Sequence, residues 1–215
     1  MKNIFFLFIA LLFVSCELEA IRSFENEVPE ETELLEESEL FNLDNESNSF
    51  IFQTNESKYI TENGYTIWTA ETINESSNFV PVSATLFKES GKSNAGFGIV
   101  FCCQKIDEKP YMLTVLINTE GYYTVGKVID GYFIHIINWT STKLLNKGFG
   151  TKNTVSVSYN TDDKKFSLSF NGTKETEFSP TETLVFKNSK SGFVVVIADN
   201  ENFPAIPVKV SFKNN

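Results

Sequence analysis

Residues 96–152 read GFGIVFCCQKIDEKPYMLTVLINTEGYYTVGKVIDGYFIHIINWTSTKLLNKGFGTK. Short runs of large apolar residues alternate with small or polar ones, and turn chemistry separates the runs. Period-two alternation puts successive side chains on opposite faces of an extended chain, so each run reads as a strand. Phe97, Ile99 and Phe101 share one face of the first. Gly98 on the other face would let another backbone approach closely. Beyond an Asp107–Pro110 turn, Tyr111, Leu113, Val115 and Ile117 alternate with Met112, Thr114, Leu116 and Asn118. Glu120-Gly121 leads into a strand over Tyr122–Ile129, and Asp130-Gly131 marks a hairpin into Tyr132–Trp139.

Outward from that stretch the pattern persists. Phe50-Ile51-Phe52 and Tyr65–Trp68 precede it, and Val80, Val82, Ala84 and Leu86 recur at every second position. Ser141–Gly150 is the longest interruption and reads as a loop crossing between layers. Strands then resume around Val155–Tyr159, Phe166–Phe170, Phe193–Ile197 and Ile206–Phe212, with Asn171-Gly172 as a second hairpin turn. No amphipathic helical pattern appears after residue 50. The fold expected is all-β: about ten or eleven antiparallel strands in one two-sheet jelly-roll sandwich over 49–215.

The order of these pieces resembles a known family. Gly96–Phe101, Tyr111, Glu120-Gly121-Tyr122-Tyr123, Gly126-Lys127-Val128, Asp130-Gly131, Trp139-Thr140, Leu145–Gly148, Asn153-Thr154-Val155 and Phe170-Asn171-Gly172 are similar to the concanavalin A-like lectin/glucanase superfamily. More narrowly they resemble laminin-G-like jelly-roll domains of bacterial surface and extracellular proteins. The resemblance spans about Phe79 to Ile197. It implies a jelly roll and, by analogy, a carbohydrate or protein ligand. Fold alone does not establish that function.

The N-terminus carries an address. MKNIFFLFIALLFVSC places Lys2 ahead of an apolar run from Ile4 to Val14. Roughly 20 apolar residues are needed to cross a bilayer, so this run reads as a cleaved export signal over 1–15. Phe13-Val14-Ser15-Cys16 resembles a bacterial lipobox, which implies diacylation, palmitate included, at Cys16. The protein is therefore expected in the bacterial cell envelope, lipid-anchored and facing the periplasm or the cell surface.

Residues 16–48 read as an acidic tether. From Glu17 to Asn48 there are twelve acidic residues and one base, Arg22. Pro29 is suited to open a short helix toward Leu40, but the density of like charge favours a solvated, extended chain. Nearly all of the formal charge of −10 lies here, and the domain beyond is close to neutral. A nucleic-acid binder needs a basic footprint, so that partner class is excluded.

The chemistry of the domain reads as binding rather than catalysis. Glucanases of the superfamily carry an E-x-D-x-x-E strand, because retaining hydrolysis needs two carboxylates about 5 Å apart. Glu175 and Glu177 share that spacing, but Pro180 stands at the third position. A weak or atypical glycoside hydrolase and a structural or adhesive envelope protein are the alternatives. His135, the single histidine, reads as structural. Cys102 and Cys103 point to opposite strand faces and read as small core residues. There is no C-x-x-C pair or calcium-loop motif, and the expectation is a domain without cofactor or metal. The candidate ligand contacts are Tyr122, Tyr123, Tyr132, Asn138 and Trp139, since sugar rings pack their C–H faces on aromatic rings while hydroxyl and amide groups orient them.

Overall fold

The alternating runs become thirteen strands in a computed structural model that describes the backbone at 41–44, 49–59 and 65–215 and side chains at 49–59 and 73–215. They are β1 (Phe41–Asp44), β2 (Ser49–Thr54), β3 (Tyr65–Ile73), β4 (Val82–Ser90), β5 (Phe97–Ile106), β6 (Lys109–Ile117) and β7 (Tyr122–Ile129), followed by β8 (Tyr132–Ser141), β9 (Asn153–Asn160), β10 (Lys165–Phe170), β11 (Thr173–Phe178), β12 (Lys190–Val196) and β13 (Val208–Asn214). One sheet has seven strands in the order β1-β2-β13-β4-β9-β10-β11, and the other has six in the order β3-β12-β5-β6-β7-β8. All pairings are antiparallel. The quoted stretch forms the β5–β8 meander, and the segment after Ser141 carries the chain from the edge of the six-stranded sheet into β9 of the other.

The inward faces meet in one core. Phe97, Ile99 and Phe101 of β5, with Leu113, Val115 and Ile117 of β6, pack against Leu86, Val155, Leu168 and Val210 of the opposite sheet. Fully burying side chains of this size contributes roughly 1.5–3 kcal/mol each, which offsets chain entropy without a disulfide. Rings dominate one part of it. Phe79 and Phe186, both outside strands, meet Phe166 edge-on at 5.2 and 6.4 Å, and Phe178 stacks on Phe166 at 5.3 Å. Two connecting segments are thereby tied to the core through aromatic contacts.

The turn chemistry behaves as read. Asp130-Gly131 and Asn171-Gly172 both adopt paired positive φ angles, 51° with 82° in each case. Such pairs define the hairpin turn whose twist matches that of the flanking strands. A bulge at Cys102 (φ 53°) shifts the β5–β6 register between Phe101 and Gln104. Cys102 enters the inter-sheet core and Cys103 the outer face, both buried as thiols. Burial pushes the Cys102 thiol well above its ordinary range, so it stays protonated.

Three boundaries differ from expectation. β1 lies inside the stretch read as tether and pairs with β2 from Phe41 onward, so the sheet starts earlier than residue 49. β11, Thr-Lys-Glu-Thr-Glu-Phe, has no apolar alternation because it is the charged edge of its sheet, and only Phe178 is buried. Charged edges discourage pairing with other chains. Ile206 precedes the last strand, which opens at Val208.

Candidate functional site

A sandwich normally shows water a polar outer face. Here the outer face of the six-stranded sheet is apolar. The residues alternating with the core set, Val100 on β5, Met112 and Leu116 on β6, Val128 on β7 and Val194 on β12, form a second buried cluster with Cys103. Over them lies a groove of about 230 Å³ lined by Val100, Thr114, Leu116, Val128, Phe133, His135, Trp139, Val194 and Val196.

Glycines let the rings lie close to the sheet. A Cβ on Gly126 would come within 2.3 Å of the Phe133 ring, so that ring occupies the space a side chain would take. A Cβ on Gly96 would meet the far edge of the Trp139 indole at 3.2 Å and Leu116 at 3.3 Å. His135 packs edge-on to Phe133 with ring centroids 4.8 Å apart. Its Nδ1 lies 2.9 Å from Thr124 Oγ1, which also donates to the Ile137 carbonyl at 2.6 Å. Thr114 turns its hydroxyl away, donating to the Ile99 carbonyl at 3.0 Å.

Of the expected contact residues, Trp139 lines the groove and is 39% exposed. Tyr122 and Asn138 are exposed but outside the lining, and Tyr132, 66% exposed, sits at the tip of the β7–β8 hairpin. Tyr123 is corrected to a core residue. It is 3% exposed, and its ring meets Phe170 edge-on at 5.1 Å between the sheets. Burial, then the nearby Glu175 carboxylate, push its phenol up to about 12. Phe133 and His135 are the lining residues that sequence reading missed. The signal available was Gly126, a gap in an otherwise bulky strand. Cys16, the stretch read as an export signal and most of the stretch read as a tether lie outside the described residues.

The carboxylates stand elsewhere. Glu175 and Glu177 belong to β11 of the other sheet; Glu175 accepts from Thr142 at 2.7 Å and Glu177 from Lys174 at 2.6 Å. Glu182 accepts from Lys127 and, at 3.2 Å, from the Tyr111 hydroxyl. Burial would raise the Glu182 carboxyl, but the hydrogen bond from Lys127 and those from its surroundings outweigh it and hold the group below the usual carboxylate range. Among the described residues, no group of three His, Cys, Asp or Glu side chains could hold a metal ion.

The architecture is a concanavalin A-like jelly roll. The chain is similar to the carbohydrate binding module CBM66 from Bacillus subtilis, at 11% identity over 77% of this chain and 83% of that one, with a TM-score of 0.52. It is also similar to the Bacillus licheniformis beta-glucanase, at 5% identity over 82% and 80% of the two chains, TM-score 0.50. A glycoside hydrolase family 16 endo-glucanase from Bacteroides ovatus gives 9% identity over 81% and 84%, TM-score 0.50. Identities this low establish shared fold. No family model matches the sequence, and no curated protein matches it.

Proposed function

We propose that this protein is a membrane-anchored extracytoplasmic lipoprotein whose sandwich binds carbohydrate without cleaving it. The observation that carries the reading is the aromatic, apolar groove on the outer face of the six-stranded sheet. Trp139 and Phe133 offer flat surfaces for the C–H faces of sugar rings, and Val100, Leu116, Val128 and Val194 beneath them supply an apolar floor. The same fold serves a carbohydrate binding module and two glucanases. Among the described residues, no carboxylate lines the groove. Hydrolysis needs two of them flanking the bond, which supports binding over catalysis.

Glycan-array screening of the full chain, followed by titration of the retained glycan, tests this. Trp139→Ala is expected to weaken binding at least about tenfold, or about 1.4 kcal/mol, with an unchanged circular dichroism spectrum. A folded wild-type protein that retains no glycan would sink the reading. The anchor is tested separately: Cys16→Ser is expected to abolish palmitate labelling and release the protein from membranes, because stable attachment needs more than one acyl chain. Labelling that persists in the variant removes the lipid assignment.

A further inference from the structure

We propose that the groove selects sugars bearing an acetamido group, with His135 anchoring its N–H and the apolar wall taking its methyl. The inference rests on the glycan reading above and follows from counting hydrogen bonds. Thr124 Oγ1 owns one proton, and the Ile137 carbonyl 2.6 Å away can only accept it. The 2.9 Å contact with His135 must therefore run the other way, with Nδ1–H donating to the hydroxyl oxygen. In the neutral imidazole that leaves Nε2 as an acceptor.

The rest of the wall has little polar chemistry to offer. The Thr114 proton is committed to Ile99. Val100, Leu116, Val128, Val194 and Phe133 are hydrocarbon. Trp139 lies four residues further along β8, about 13 Å at strand rise, and its ring and indole N–H serve a neighbouring sugar rather than the same substituent.

This lining discriminates between sugars of the same backbone. A hexose hydroxyl at that position can donate to the same Nε2, but it brings no apolar group to cover the valines and leucine, which stay in contact with water. An acetamido group presents a methyl that gains from burial there. Its N–H donates to His135 Nε2, and its carbonyl turns to solvent.

Calorimetric titration of the full chain with the β-1,4-linked tetramer of N-acetylglucosamine and with cellotetraose tests this, since the two differ only in the 2-substituent. The acetamido tetramer is expected to bind at least tenfold more tightly (about 1.4 kcal/mol). His135→Leu should weaken both, since each loses its acceptor. His135→Gln, whose amide oxygen stands near the Nε2 position, should keep the preference, and Trp139→Ala should weaken both ligands alike. Equal affinities, tighter cellotetraose binding, binding confined to glycans without acetamido groups, or an affinity for the acetamido tetramer that His135→Leu leaves unchanged would each overturn the inference while leaving the glycan reading in place. Failure of every glycan to bind would overturn both.

Discussion

Gly98→Ala is expected to destabilise the fold by at least about 3 kcal/mol, the upper end for overpacking and enough to unfold many domains of this size. An ideal Cβ at Gly98 would lie 1.8 Å from the Val115 carbonyl oxygen and 2.9 Å from its carbon. Both atoms belong to the backbone of β6 in the middle of a six-stranded sheet, so relief requires parting two central strands rather than rotating a side chain. The control is Gly172→Ala. Gly172 has φ 82° but no neighbour within 4 Å of its Cβ, so its cost is conformational alone, about 1 kcal/mol. Urea unfolding followed by circular dichroism of the two variants separates steric from conformational loss. Similar midpoints for both would show that β5 and β6 are not held as closely as the geometry requires.

The need for glycine at 98 was legible before any coordinates, as was the β5–β8 meander around it, because strong turn pairs bracket clean alternation. Asp130-Gly131 and Asn171-Gly172 specify positive φ at two consecutive positions and leave the chain few alternatives. What escaped has physical reasons. β11 was silent because an edge strand buries little and reads as loop. The groove was obscured because β6 and β12 are apolar on both faces: Leu113 and Val115 point to the core while Met112 and Leu116 point outward. Alternation then shows that a strand exists but not which side is the core.

The tyrosines follow plain alternation. Along β7 the count is unbroken, with Tyr123, Val125 and Ile129 on the core face and Gly126 and Val128 on the groove face. The register shifts on either side of Val125 are taken up by extra residues on β8. Of two neighbours on such a strand only one faces outward, so Tyr123 is core and Tyr122 exposed, while Phe133 and His135 share the groove with Trp139. Counting from Gly126, whose space the Phe133 ring fills, would have found them.

Lys88 should make this protein more stable as pH rises from about 8 to 10.5, and Lys88→Met should abolish that rise. Continuing the β4 alternation past Ala84 and Leu86 sends Lys88 inward, and it is 1% exposed. Its ammonium donates to the Lys92 carbonyl at 2.7 Å and the Ala95 carbonyl at 3.4 Å, so the β4–β5 connection folds around it. Glu201 accepts from the Lys92 amide at 3.0 and 3.1 Å and contributes a favourable charge nearby. Burial outweighs that charge and lowers the Lys88 amine from 10.5 to about 8. Between those values the unfolded chain holds the proton more tightly than the folded one, so stability increases with pH across the window. The gain is roughly 3 kcal/mol when a shift of this size is converted at 1.36 kcal/mol per pH unit. Other ionisable groups add their own slopes, the buried Cys102 thiol in the opposite direction. Because they are common to wild type and variant, the difference between the two stability curves isolates Lys88. Near pH 7 the substitution also removes the donor from two carbonyls, so the absolute stability there reflects two opposed effects while the slope reflects one. Urea unfolding at pH 7, 8, 9 and 10 measures that slope. Parallel curves would mean that the ammonium is carried in the interior without penalty, its carbonyl partners and Glu201 having replaced the water it lost.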